Sequence, residues 1–152
     1  MVLEKTPLVE FFGKSISIPS ISIAPIDRST QFTTLKEQGD TIQFSQLDVT
    51  FRIDEQLLNY KEIFDWMVSI GFPEDFTQYG NPRGISTMKN VLVSDIDILL
   101  FSSKNNPLHR FTFVGAWPTD LSGISINIDD ESIIYTECTV SFAYDTFSLG
   151  EP

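Results

Sequence analysis

The chain has 152 residues, with 21 acidic against 10 basic side chains and a formal net charge of −11; that length suits one domain, residues 1–152, burying roughly 70% of its unfolded surface. The acidic excess repels nucleic acid over most of the surface and disfavours ordinary DNA binding, and a single cysteine excludes an internal disulfide. No apolar run approaches the roughly 20 residues of a membrane span, and the amino terminus lacks the charged and apolar regions of a signal peptide.

Phe11 to Ala24 reads FFGKSISIPSISIA, in which Ile16, Ile18, Ile21 and Ile23 alternate with serine until Pro19 and Ser20 shift the phase. Proline donates no ladder hydrogen bond, so Pro19 marks a bulge or an edge position. Thr30 to Gly39 reads as a polar loop with room for a short strand. Thr41 to Phe44 then leads into Leu47 to Ile53, the cleanest period-two strand of the chain. Leu47, Val49, Phe51 and Ile53 share one face; Asp48, Thr50 and Arg52 share the other.

After Asp54 the period changes. Tyr60, Ile63, Phe64, Met67 and Ile70 fall at helical spacing, with Asp54 or Asn59 available as a cap and Gly71-Phe72-Pro73 as a stop. This predicts a helix of about three turns from near Gln56 or Asn59 to Ile70, packed on the sheet through those five residues. Trp66 falls on or beside the packing face. Pro73 to Asn90, with Tyr79-Gly80-Asn81-Pro82-Arg83-Gly84 inside it, is a loop by composition.

Val91 to Ser102 returns to strand, with Ile96, Ile98 and Leu100 on one face and Asp95, Asp97 and Leu99 on the other. Lys104 to Pro107 is a hairpin turn and Leu108 to Ala116 its returning strand. That strand runs into a Gly115-Ala116-Trp117-Pro118 corner, where Trp117 and Pro118 are expected to fill space, Trp117 in the core or against another subunit. A second alternating strand, Ile124 to Ile128, an acidic turn at Asp129-Asp130-Glu131 and a third strand, Thr139 to Phe147, close the chain. Several strands, one helix and no βαβ alternation give a mainly β fold, an antiparallel rolled β-sandwich or barrel with one flanking α-helix.

Reactive chemistry is sparse. His109, the only histidine, begins a strand after a turn, and Gly123-Ile124-Ser125 lacks the second glycine of a nucleophile elbow. The chain carries no phosphate-binding loop, paired-cysteine metal site or dinucleotide fingerprint. Asp129-Asp130-Glu131 and Asp95-Ile96-Asp97 depart from regular calcium-ligand spacing and read as a solvated turn and a solvated sheet face. Asp95 and Asp97 point the same way about 7 Å apart, without a neighbouring cage to split their titration, and read as surface charge. Cys138 alternates with Val140, Phe142 and Tyr144 and reads as a small apolar residue. No catalytic residue, metal ligand or cofactor is expected, and the chain does not read as an enzyme.

Three segments, in order, resemble the tail tube proteins of contractile bacteriophage tails. They are Phe12 to Ser22 with its strand, proline and second strand; Leu47 to Ile53 followed by Asp54-Glu55, Asn59-Tyr60, Glu62-Ile63, Trp66 and Gly71-Phe72-Pro73; and the Phe111 to Ser122 stretch with its Gly-x-Trp-Pro-Thr corner. The resemblance implies a rolled β-sandwich assembling into six-fold rings, with strands of each subunit pairing to line a channel. Rings of this family stack into the inner tube of the tail, enclose the tape-measure protein and later pass the genome. It implies a virion protein, assembled in the host cytoplasm, with partners in itself, the tail sheath, the tape-measure and the baseplate or neck proteins, and with genomic DNA passing unbound. Met1 to Lys5 is short for a leading arm, which leaves open a bulk tube protein or a ring at one end.

An acidic or neutral wall suits a DNA channel, because each phosphate neutralised by a basic wall adds affinity and hence friction. On that ground Asp48, Thr50, Arg52, Asp95 and Asp97 are the expected channel-lining residues, with Arg52 balanced by Asp48 and its partners across the ring. Phe51, Tyr60, Phe64, Trp66, Phe72, Pro73, Trp117 and Pro118 are the expected core and corner residues. Other readings are a baseplate or neck ring of the same fold, a small-molecule-binding β-barrel and an acidic DNA mimic.

Overall fold

The computed structural model describes residues 2–3, 6–71, 92–124 and 135–151. Phe72, Pro73, the loop Pro73 to Asn90, the acidic turn and all but the first residue of the expected Ile124 to Ile128 strand lie outside the described residues.

The elements in chain order are β1 (Val2–Leu3), α1 (Pro7–Phe11), β2 (Gly13–Ser17), β3 (Ile21–Ile23), β4 (Ile26–Ser29), β5 (Thr34–Glu37), β6 (Ile42–Phe44), β7 (Leu47–Arg52), α2 (Leu58–Gly71), β8 (Ser94–Phe101), β9 (Pro107–Leu121), β10 (Glu137–Ala143) and β11 (Thr146–Gly150). All strand pairs are antiparallel. The main sheet runs β1-β8-β9-β10-β7-β2, with β11 on β9, and it curls into a half-barrel. The fold is therefore the mainly β, rolled antiparallel one expected, with a five-residue helix, α1, added before the first long strand.

The curl comes from β9. Over 15 residues its first half pairs with β8 and β11, and its second half with β10. The register with β8 shifts between Ser94 and Ile96, opposite Gly115, whose φ is 67°. An extra residue with a glycine in the left-handed region is a β-bulge, which bends the strand and increases its twist. Gly115 N–H donates to Asp95 Oδ1 at 2.9 Å, and a Cβ at this position would stand 2.7 Å from Asp145 Oδ2. The expected corner is thus a bend within one continuous strand. The expected single strand Thr139 to Phe147 is correspondingly divided at Tyr144 and Asp145 into β10 and β11, which follow the two halves of β9.

Inside the curl lie Leu47, Val49 and Phe51 of β7, Ile96 and Ile98 of β8, Phe113 and Ala116 of β9, and Cys138, Val140 and Phe142 of β10. The period-two reading holds residue by residue along β7 and through Ile98 of β8, where buried positions alternate with more exposed ones; beyond Ile98 the alternation ends and Leu100 is exposed. Helix α2 closes the core with Ile63 and Trp66; Trp66 packs on Phe142 at 6.0 Å and donates from Nε1 to the Leu92 carbonyl at 2.9 Å. Buried Asn59 joins helix to sheet: Nδ2 donates to the Arg52 carbonyl at 2.6 Å, and Oδ1 accepts from the Tyr60 and Asp54 N–H groups at 2.8 and 3.3 Å.

Two expected core residues are corrected. Phe64 is 52% exposed. Residues advance about 100° around a helix, so a buried arc through Asn59, Ile63, Trp66 and Ser69 leaves Tyr60 and Met67 at its margin and turns Phe64 beyond it. Trp117 is 39% exposed, because strand alternation past the bulge sends Ala116 and Pro118 inward.

The other departure is an arm. Ser17 pairs with Asp48 and Ile21 with Phe44, so β3 and β6 prolong the β2–β7 ladder in unbroken register, and β4 and β5 form a further ladder offset from it, with Ile26 opposite Glu37. The expected polar loop Thr30 to Gly39 is the far end of this ribbon, and the short strand it had room for is β5. The ribbon turns at Thr30 to Thr33, where Thr30 N–H donates to the Thr33 carbonyl at 2.9 Å and Thr33 N–H to Thr30 Oγ1 at 3.2 Å. From Ser20 to Gln46 only Gly39 is buried; its Cβ would run into the Ala24 carbonyl, so the two strands cross too closely there for any side chain.

Candidate assembly and channel surfaces

The face of the sheet away from the core is polar and laced with hydroxyl groups. On β7, Thr50 Oγ1 lies 3.1 Å from Thr139 Oγ1 of β10, and Ser141 Oγ of β10 donates to Asp48 Oδ1 at 2.7 Å. On β8, Asp97 Oδ1 accepts from Thr112 Oγ1 of β9 at 2.6 Å, and Asp95 takes the Gly115 N–H. Cross-strand pairing builds these contacts, because residues directly opposite each other on one face meet.

Asp48, Thr50, Arg52, Asp95 and Asp97 therefore lie on one side of a continuous sheet. They form two groups, since β9 and β10 intervene and β8 and β10 pair with different halves of β9. Within the subunit Arg52 does not pair with Asp48: its guanidinium sits over the Tyr135 ring at 5.0 Å, a cation–π contact, while Asp48 is held by Ser141. Lys14 of β2 pairs with Glu137 of β10 at 2.6 Å, with both side chains more than a third exposed. Cys138 is buried, and burial pushes its thiol pKa up; a raised pKa suppresses the nucleophilic thiolate.

Three features can join this subunit to another. Among the described residues the outer edges of β2 and β11 have no strand beside them, and β1 covers Ile96 and Asp97 alone of β8. Where β2 approaches β8 the curl stays open, as a cleft of about 380 Å³ walled by Ile16 and Ile18 on one side and Ile98, Leu99 and Leu100 on the other. The arm exposes Ile21, Ile23, Ile42 and Phe44 on one face of its first ladder and Phe32 at its tip. Its base is anchored by Phe44 on Phe147 at 5.3 Å and by the Tyr144 hydroxyl, which donates to the Ser45 carbonyl at 2.7 Å. The alternating isoleucines predicted strand; nothing in their pattern separates a ribbon that leaves the core from one that enters it.

A curled sheet with open edges, a polar outer face and a projecting apolar ribbon defines a β-rich structural subunit. The family model for phage tail tube protein matches residues 3–149, and the chain belongs to that family. It is 25% identical over 143 residues to the tail tube terminator protein of Enterobacteria phage T4, covering 90% of this chain and 76% of the relative. The fold is shared with the sheath/tube terminator of the PVC extracellular contractile injection system, with a TM-score of 0.58 and 20% identity over 91% of this chain and 84% of that one. A chain from the tube-terminating cap of the anti-feeding prophage gives a TM-score of 0.56 and 17% identity over 92% and 80%. The protein is thus a tail tube- or terminator-like structural protein, and a component of the virion tail.

Proposed function

We propose that the protein forms closed, six-fold rings that end the inner tube of a contractile phage tail on its neck side. The observation that carries the position is the relation, over most of the chain, to a tail tube terminator. The open edges of β2, β8 and β11 support ring formation, because an exposed edge is stabilised by pairing with a strand of the next subunit and a head-to-tail contact closes when its rotation fits. The polar face carrying Asp48, Thr50, Asp95 and Asp97 lines the channel, and its hydroxyls and carboxylates let genomic DNA pass without counterion-releasing contacts. Other copies, the sheath and the neck proteins are its partners, with assembly in the host cytoplasm.

Labelling of the protein in intact virions tests the position. A signal confined to one end of the tail supports an end ring, whereas labelling along the whole tail makes the chain a bulk tube protein and overturns the terminal placement.

A further inference from the structure

We propose that the outer sheet face at the Gly115 bulge docks a second protein, through a segment that carries an arginine or lysine beside an apolar residue. The contact goes beyond the ring reading above, since a single subunit presents the whole surface. Trp117 is 39% and Val114 42% exposed, and both turn away from the core, with Ala116 buried between them. Gly115 also lies between them and has no side chain, so a gap opens along the strand from the valine to the indole. Opposite Trp117 on β10 stands Ala143, and opposite Val114 on β11 stands Thr146, two small side chains that cover neither apolar neighbour.

Carboxylates frame this gap. Asp145 stands at its glycine floor, where Oδ2 would come within 2.7 Å of a Cβ. Asp95 lies across on β8, held through Oδ1 by the Gly115 N–H, and Asp120 lies further along β9, opposite Ser141. All three are exposed, and among the described residues none is in an ion pair. An aromatic face beside fixed negative charge suits a guanidinium or ammonium group on its methylene stem. The stem packs on Trp117 and Val114, while the head lies over the indole and reaches Asp145. Tryptophan is also among the side chains that most often carry the energy of a protein–protein contact.

Charge selects the occupant. Nucleic acid is disfavoured, because its phosphates would meet these carboxylates rather than cations. A second copy brings a net charge of −11 of its own, which adds like-charge repulsion at an acidic surface. A basic, partly apolar segment of a different protein satisfies the indole and the carboxylates together. Because the Gly115 N–H already holds Asp95 in place, less side-chain freedom is lost when the cation arrives.

The test uses the full chain and a defined probe, a labelled synthetic peptide alternating valine with arginine, read by fluorescence anisotropy. It should bind saturably and more weakly as salt is raised, and its counterpart with uncharged citrulline in place of arginine should not bind. Asp145→Asn and Trp117→Ala should each weaken binding about threefold or more, with unchanged denaturant midpoints. Asp65→Asn, a charge-matched change on the exposed side of α2, should leave the affinity as it is. Equal weakening by Asp145→Asn and Asp65→Asn reduces the binding to general attraction by an acidic protein and overturns the proposal, as does equal binding of the citrulline peptide. In virions, benzoylphenylalanine in place of Trp117 should photo-crosslink to a different protein at a stretch containing arginine or lysine. A crosslink to DNA, a crosslink to another copy, or none at all also overturns it. Each of these failures leaves the ring reading standing, because that reading rests on the open sheet edges.

Discussion

Trp66 and Phe64 stand two residues apart on α2 and have opposite fates. Trp66 is buried against Phe142 and hydrogen-bonded to the Leu92 carbonyl, while Phe64 faces out. In the dissociated subunit, Trp66→Ala should cost about 3–5 kcal/mol, whereas Phe64→Ala should stay within about 0.5 kcal/mol; denaturant midpoints measured side by side check the contrast. Helical spacing placed the element, but five apolar residues spanning a broad arc do not say which edge of that arc meets the sheet. Buried Asn59 and Ser69 decide it, and a pattern of apolar residues alone passes over both. Gly115 makes a second residue-scale case. Gly115→Ala forces a left-handed φ on a residue with a Cβ and drives that Cβ against the Asp145 carboxylate, so it should lower stability by about 1–3 kcal/mol, read from the same unfolding curves.

At the scale of elements, β7 and β8 were legible because one face of each meets the core, so burial and period two coincide. The long β9 was legible in its parts but not in its course. Gly115-Ala116-Trp117-Pro118 reads as a corner, yet the bulge lets one strand serve both halves of the curl and breaks its partner into β10 and β11. The arm was the least legible, since Ser–Ile alternation on either side of Pro19 is the same pattern with different neighbours, and Thr30 to Gly39 lacks apolar periodicity. Being free of the core, the arm should be separable from it. Replacing residues 22–43 by a two-residue Asn-Gly turn, which suits a hairpin closed by the Ile21–Phe44 pair and keeps Phe44 on Phe147, should leave the unfolding free energy of the subunit within about 0.5 kcal/mol of wild type. A cooperative loss of structure in that variant would show that the arm contributes to the fold itself.

On the scale of the whole molecule, the acidic excess is not evenly used. Asp95 and Asp97 are held on the outer sheet face by Gly115 N–H and the Thr112 hydroxyl. If that face lines the channel, Asp95→Lys with Asp97→Lys should slow DNA ejection from assembled particles, because two lysines per subunit add phosphate contacts around the ring. The Asp95→Asn, Asp97→Asn pair, which keeps hydrogen-bonding side chains, should eject at close to the wild-type rate. Equal rates for the lysine and asparagine variants would place these carboxylates outside the channel.

The central claim is that a half-barrel with open edges and an exposed arm completes itself with copies of its own chain. Negative-stain electron microscopy of the purified protein across a concentration series tests this most directly. Closed six-fold rings that do not grow into long tubes are the predicted result; a strictly monomeric protein at the highest concentration reached would contradict it.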